Sequence, residues 1–186
     1  MNNMNKAEEL CHHGILGQKW GVRRFQNTDG SLTAAGKKKN AKMYKKGDTS
    51  SLIGTDSNEV KARTVAYKKS FKKWADADDE LDNVRNKLMK DKSIQNKAKE
   101  MAKKAGLKED DPDFDYYVFG DLPSENYQML AMYEHPKYIK AETKMNDAYK
   151  ELSKSSQDLV ESVVGKYADV PMYKIDDLIN SISKAK

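Results

Sequence analysis

Cys11, His12 and His13 stand side by side in the stretch "CHHGILGQKWGVRRF". Thiolate and imidazole are the side chains that hold zinc or act as nucleophile and base. Adjacent residues do not converge on one ion without a loop to turn them. Structural zinc takes four ligands, and the chain's third histidine is His135. No further residue stands out to orient a Cys11–His12 pair. "GILGQKWG" and "AAGKKK" both lack the Gly-x-x-x-x-Gly-Lys-Ser/Thr spacing that cradles phosphates. The carboxylates of "DADDE" (76–80) diverge around a helix, and "EDDPDFD" (109–115) lacks the glycine and closing glutamate of a calcium loop. The expectation is a chain without catalytic residues, metal or cofactor: not an enzyme.

Two binding chemistries remain. Trp20, Ile15, Leu16 and Phe25 offer apolar anchors, and Arg23 and Arg24 offer forked donors for carboxylates. Tryptophan and arginine dominate protein-binding hot spots. Lys19, Trp20, Arg23, Arg24 and Phe25 also interleave cations with aromatic planes, as nucleic-acid grips do. Lys37, Lys38, Lys39, Lys42, Lys45 and Lys46 add positive charge behind them. No recognised nucleic-acid motif accompanies these residues, so DNA is the alternative partner rather than the first.

These residues must be carried by an elongated helical body. Of 186 residues, 38% are hydrophobic and 34% charged, too few apolar groups for a large spherical core. Charge is unevenly placed. Residues 1–50 hold ten Lys or Arg against four Asp or Glu; residues 107–135 hold one against eight. The basic half suits phosphate, an acidic protein, or the acidic segment of its own chain or a neighbour. No apolar run of about 18 residues is present, so no membrane span is expected.

"NTDGS" predicts a turn with Asp29-Gly30 at its tip, and Thr33 a cap for a basic helix weakened by Gly36. Residues 1–46 read as an irregular basic arm and 47–56 as a linker. Asp56 and Glu59 form a capping-box pair, opening a helix over 57–90. Its stripe is Val60, Tyr67, Phe71, Trp74, Ala77, Leu81, Val84 and Leu88. A weaker helix continues to Ala105, with Ser93 as a break and Gly106 as a stop. Residues 107–123 read as an acidic, aromatic loop in which "YYVF" has strand character. Ser124 caps a short helix ending near Glu134. Pro136 opens a second long helix over 136–168, with the stripe Tyr138, Met145, Tyr149, Leu152, Ser156, Leu159, Val163 and Tyr167. A last helix shows Ile175, Leu178, Ile179 and Ile182 on one face. The architecture expected is all-α: an elongated antiparallel hairpin in a domain over 57–186, with short helices closing its seam.

The stretch "HHGILGQKWGVRRFQNTDGSLTAAGKKK" (12–39) resembles a module of structural proteins in tailed phages and prophages. The matching residues are His13-Gly14, Gly17, Lys19-Trp20-Gly21, Arg23-Arg24-Phe25-Gln26-Asn27, Asp29-Gly30-Ser31-Leu32-Thr33 and Gly36. The module's usual Arg-Tyr after the first basic cluster is replaced by Lys39-Asn40. The resemblance covers about 28 of the 186 residues and implies a virion or head-assembly setting. From their residue types, docking is expected through His13, Gly14, Ile15, Leu16, Gly17, Lys19, Trp20, Gly21, Arg23, Arg24, Phe25, Gln26 and Asn27, either on a phage structural protein or on the chain's own helical hairpin. The expected location is the host cytoplasm during assembly, or the virion. The rival functions are a DNA-binding packaging protein and a small effector that inhibits a host protein. A homo-oligomer is also open.

Overall fold

The computed structural model describes residues 24–48, 51–120 and 126–184. Among them it is all-α, with seven helices: α1 (Ala34–Lys45), α2 (Asn58–Met89), α3 (Lys92–Lys104), α4 (Phe114–Phe119), α5 (Tyr127–Tyr133), α6 (Pro136–Val163) and α7 (Ile175–Lys184). Two 3-10 turns, Gly165–Tyr167 and Met172–Lys174, lie between α6 and α7. Backbone contacts group the chain into two compact units. One runs up to Tyr67 and resumes at Ser155; the other is Lys68–Lys154.

In the Lys68–Lys154 unit the apolar core is drawn from five helices. Leu81 and Leu88 come from α2, and Tyr138 and Ala141 from α6. Ile94, Ala98 and Ala102 repeat at four-residue steps along α3, while Ala131 and Met132 come from α5. Alanines at the α3 and α5 positions let backbones approach closely, which a pair of leucines would prevent. Phe114 and Val118, four residues apart, complete the core from α4. That spacing explains why "YYVF" is helix and not strand: a helix puts both apolar side chains on one face, and a strand has no partner here. The insert expected as loop is thus partly core.

Within the same unit the ion pairs across α2 and α6 are Lys73–Glu151 at 2.6 Å and Glu80–Lys144. Partner numbers fall as α2 numbers rise, so these segments run antiparallel. The buried positions on α6 are Tyr138, Ala141, Ala148, Leu152, Ser156, Leu159, Ser162 and Val163. Tyr149, expected in this stripe, is 48% exposed, and Phe71 on α2 is 41% exposed. On α6 the core position goes to Ala148, and Tyr149 lies about 100° round the helix from it. Phe71 instead stands 5.7 Å from Trp74, ring to ring.

Several helix ends differ by a few residues from the sequence expectation. Ser57, not Asp56, caps α2: its Oγ accepts from Val60 N at 3.3 Å and its carbonyl from Lys61 N. The break before α3 falls at Asp91, whose carboxylate accepts from Ser93 N at 2.8 Å and from Ser93 Oγ. Asn126 caps α5, accepting from the Gln128 and Met129 amides; Ser124 lies outside the described residues. α6 begins at Pro136 as expected but ends at Val163, because Gly165 takes a φ of +59° that no α-helix continues. Gly106, at φ +97°, stops α3.

Candidate functional site

The second half of the stretch 12–39, residues 24–39, is described and can be built from its residues upward. Gly30 has a φ of +83°, which only glycine adopts without cost. That lets the chain reverse, with Gly30 N donating to Asn27 O and Asn27 N to Ser31 O. Asp29 accepts from Ser31 N at 3.0 Å and Ser31 Oγ at 2.7 Å. These donors hold its carboxyl below the usual range. Asn27 Nδ2 donates to Ser31 Oγ at 2.9 Å. A single antiparallel pairing, Gln26 with Leu32, closes the turn.

Thr33 then does two things. Its Oγ1 donates to Arg24 O at 2.9 Å and accepts from Gly36 N at 3.2 Å, capping α1. Gly36 is needed for clearance: a Cβ there would lie 2.1 Å from Phe25 O. Leu32 is buried, and a Cβ on Gly54 would strike it at 2.6 Å. Asp29, Gly30, Ser31, Leu32, Thr33 and Gly36 therefore each have a local structural task.

Asn40 is the residue that sequence reasoning left without a role. It is fully buried. Its Oδ1 accepts from Ile53 N at 3.0 Å, and its Nδ2 donates to Ile53 O at 2.9 Å and Val163 O at 3.1 Å. One amide thus ties α1, the segment read as a linker, and the last carbonyl of α6. Leu52 is buried too, so residues 51–57 pack against their surroundings and do not form a free tether. Nothing in composition marks this, because asparagine is ordinarily a turn or surface residue. A lone Asn in a basic helix was the available signal.

Four of the proposed docking residues are described. Arg24 is exposed, with its guanidinium carbon 5.3 Å from the Phe25 ring centre. Phe25 is half-buried and accepts Thr33 N through its backbone. Gln26 is half-buried in the backbone pairing, and Asn27 is exposed in the turn. His13, Gly14, Ile15, Leu16, Gly17, Lys19, Trp20, Gly21 and Arg23 lie outside the described residues, as do Cys11 and His12.

The six lysines divide. Lys39 places its ammonium 4.8 Å from the Phe25 ring centre, a cation–π contact. The Lys37 stem lies against Gly165, 3.1 Å from where a Cβ would be. Lys38, Lys42, Lys45 and Lys46 are exposed, and none forms an ion pair among the described residues. No group of three or more His, Cys, Asp or Glu among the described residues is placed to hold a metal ion. No described helix is long and apolar enough to cross a membrane. No family model, curated protein or solved structure matches this chain.

Proposed function

We propose that this chain is a non-enzymatic bacteriophage structural or head-assembly protein that docks on another phage protein through its N-terminal stretch. What carries the reading is the fixed residue pattern over 12–39, together with the physical reason the structure supplies for its second half. A turn, a cap and a glycine clearance make residues 24–39 a self-consistent folded element, the kind of unit that can head otherwise different proteins. Docking then falls to Trp20, Arg23 and Arg24 and their apolar neighbours, whose types suit a hot spot.

The test is a pair of measurements on the same variants. Trp20→Ala and the double variant Arg23→Ala/Arg24→Ala are expected to lose incorporation into phage particles, or capture by phage structural proteins, by tenfold or more. Their thermal melts should stay within about 2 °C of wild type, as for changes outside a core. His13→Ala is expected to leave melting unchanged. A Trp20→Ala protein that melts normally and enters particles as wild type does overturns the reading. A Trp20→Ala protein that instead melts far lower would assign the tryptophan to folding.

A further inference from the structure

We propose that the exposed lysine face of α1, formed by Lys38, Lys42, Lys45 and Lys46, binds the phosphodiester backbone of duplex DNA without reading its sequence. Lys38, Lys42 and Lys45 follow one another at four and three residues, so they share one side of the helix. Lys46 continues that side at the helix end. The face is about 10 Å long from Lys38 to Lys45. Duplex DNA carries one charge per about 1.7 Å of axis, so such a face meets several phosphates at once.

The surroundings narrow the ligand. α1 contains no acidic residue. Several cations on other helix surfaces are held by carboxylates, among them Lys72 by Asp76, Lys73 by Glu151, Lys97 by Glu134 and Lys103 by Glu109. The four lysines of this face are not so held among the described residues. A protein partner would need apolar or aromatic anchors at the centre of the interface. The exposed large hydrophobic side chains described are Val65, Phe71, Tyr116, Leu130, Tyr133, Ile139, Tyr149 and Tyr173, and none belongs to α1. A membrane surface would attract the same charge but, with no apolar side to bury, hold it only weakly. Single-stranded nucleic acid is held largely by stacking on open aromatic rings. Of the rings beside α1, Phe25 already has Arg24 and Lys39 over it, and Tyr173 has Lys174. Lysine is a hydrated point charge without arginine's fork, which suits sequence-independent contact with phosphate. The face is also rigidly presented, because Asn40 locks α1 to Ile53 and Val163 from the opposite side.

The experiment is titration of the full chain into a labelled 20-base-pair duplex at 50, 100 and 200 mM salt. Four phosphate contacts give a log–log slope near −3.6, about a hundredfold weakening across this range. The variant Lys38→Gln/Lys42→Gln/Lys45→Gln/Lys46→Gln should bring the slope near zero and weaken binding at 50 mM at least tenfold. Replacing the same four residues by arginine should retain both. A control with equal charge loss elsewhere, Lys61→Gln/Lys68→Gln/Lys69→Gln/Lys154→Gln, should keep most of the slope. If the quadruple variant loses helicity, the four single changes decide, each lowering the slope by about 0.9. No duplex binding by wild type at 50 mM overturns the proposal. So does an equal loss in the control, or tighter binding to polyglutamate, anionic vesicles or a single strand of the same length.

Discussion

Residues 24–57 and the core of the Lys68–Lys154 unit reach order by different means. The second is an apolar assembly: eleven buried side chains from five helices, with charges paired on its outside. The first has few large apolar groups. It is organised by a turn glycine, a threonine cap, a glycine clearance and one buried asparagine. Hydrogen bonds are directional and hydrophobic burial is not. The polar region is therefore built for defined geometry, and its outward lysines are left available. The apolar region is built for stability, and several of its surface charges are paired across helices.

The contrast is most easily broken in the apolar core. Met132→Ala and Leu81→Ala remove buried side chains and are each expected to cost about 2–5 kcal/mol in chemical denaturation. A cost under about 1 kcal/mol for both would mean that this core does not carry the unit. Asn40→Leu comes next in size. It leaves the Ile53 and Val163 groups without their partner, at about 2–3 kcal/mol. Should Asn40→Leu prove neutral, geometry in the first region is held by something other than that amide.

Gly36→Ala and Gly47→Ala sharpen the comparison through two kinds of glycine. At Gly36 the obstacle is Phe25 O, so helix propensity favours alanine yet overpacking should win, with a net loss of about 1–3 kcal/mol. At Gly47 nothing lies within reach of a Cβ, and the φ of +76° alone opposes substitution, by about 1 kcal/mol. A gain of stability in Gly36→Ala is the result that contradicts the close approach.

pH provides a smaller effect. Burial first, and Asp176 second, raise the Tyr67 pKa above its ordinary value; its hydroxyl donates to Asp176 Oδ1 at 3.5 Å. Between the ordinary tyrosine value near 10 and this raised one, the unfolded chain has lost a proton that the folded chain keeps. The contribution is fully present below about pH 10 and is lost as pH rises through the folded pKa. Tyr67→Phe should flatten the decline of melting temperature above pH 10; an unchanged decline removes Tyr67 as its source. Least of all, Lys72→Gln should change stability by under about 0.5 kcal/mol, since its pair with Asp76 is exposed.

Periodic apolar spacing made the long helices and the all-α class legible, and most of their buried positions with them. It misplaced Phe71 and Tyr149, which keep three-and-four spacing yet are exposed, while Ala148 beside Tyr149 is buried. The insert after Gly106 was obscured because six residues with four aromatics fit strand propensity as well as a short helix. In the candidate site, the Asp29-Gly30 turn and the Thr33 cap were legible, being local pairings within a few residues. The part played by Asn40 was not, since its acceptor at Val163 lies 123 residues away.

By itself, then, the sequence determined what depends on neighbours along the chain: helix class, the turn at 27–31, the cap at Thr33, Pro136 as a helix start and the basic character of α1. Those features follow from backbone preferences and charges that any window of a few residues contains. Only the tertiary structure decided that Gly36 is clearance rather than weakness, that residues 51–57 pack, that Asn40 is a buried clamp, and which four of six lysines face outward alone. Each of these turns on which distant atom comes within a few ångströms, and packing and hydrogen bonding at that range are set by the fold as a whole.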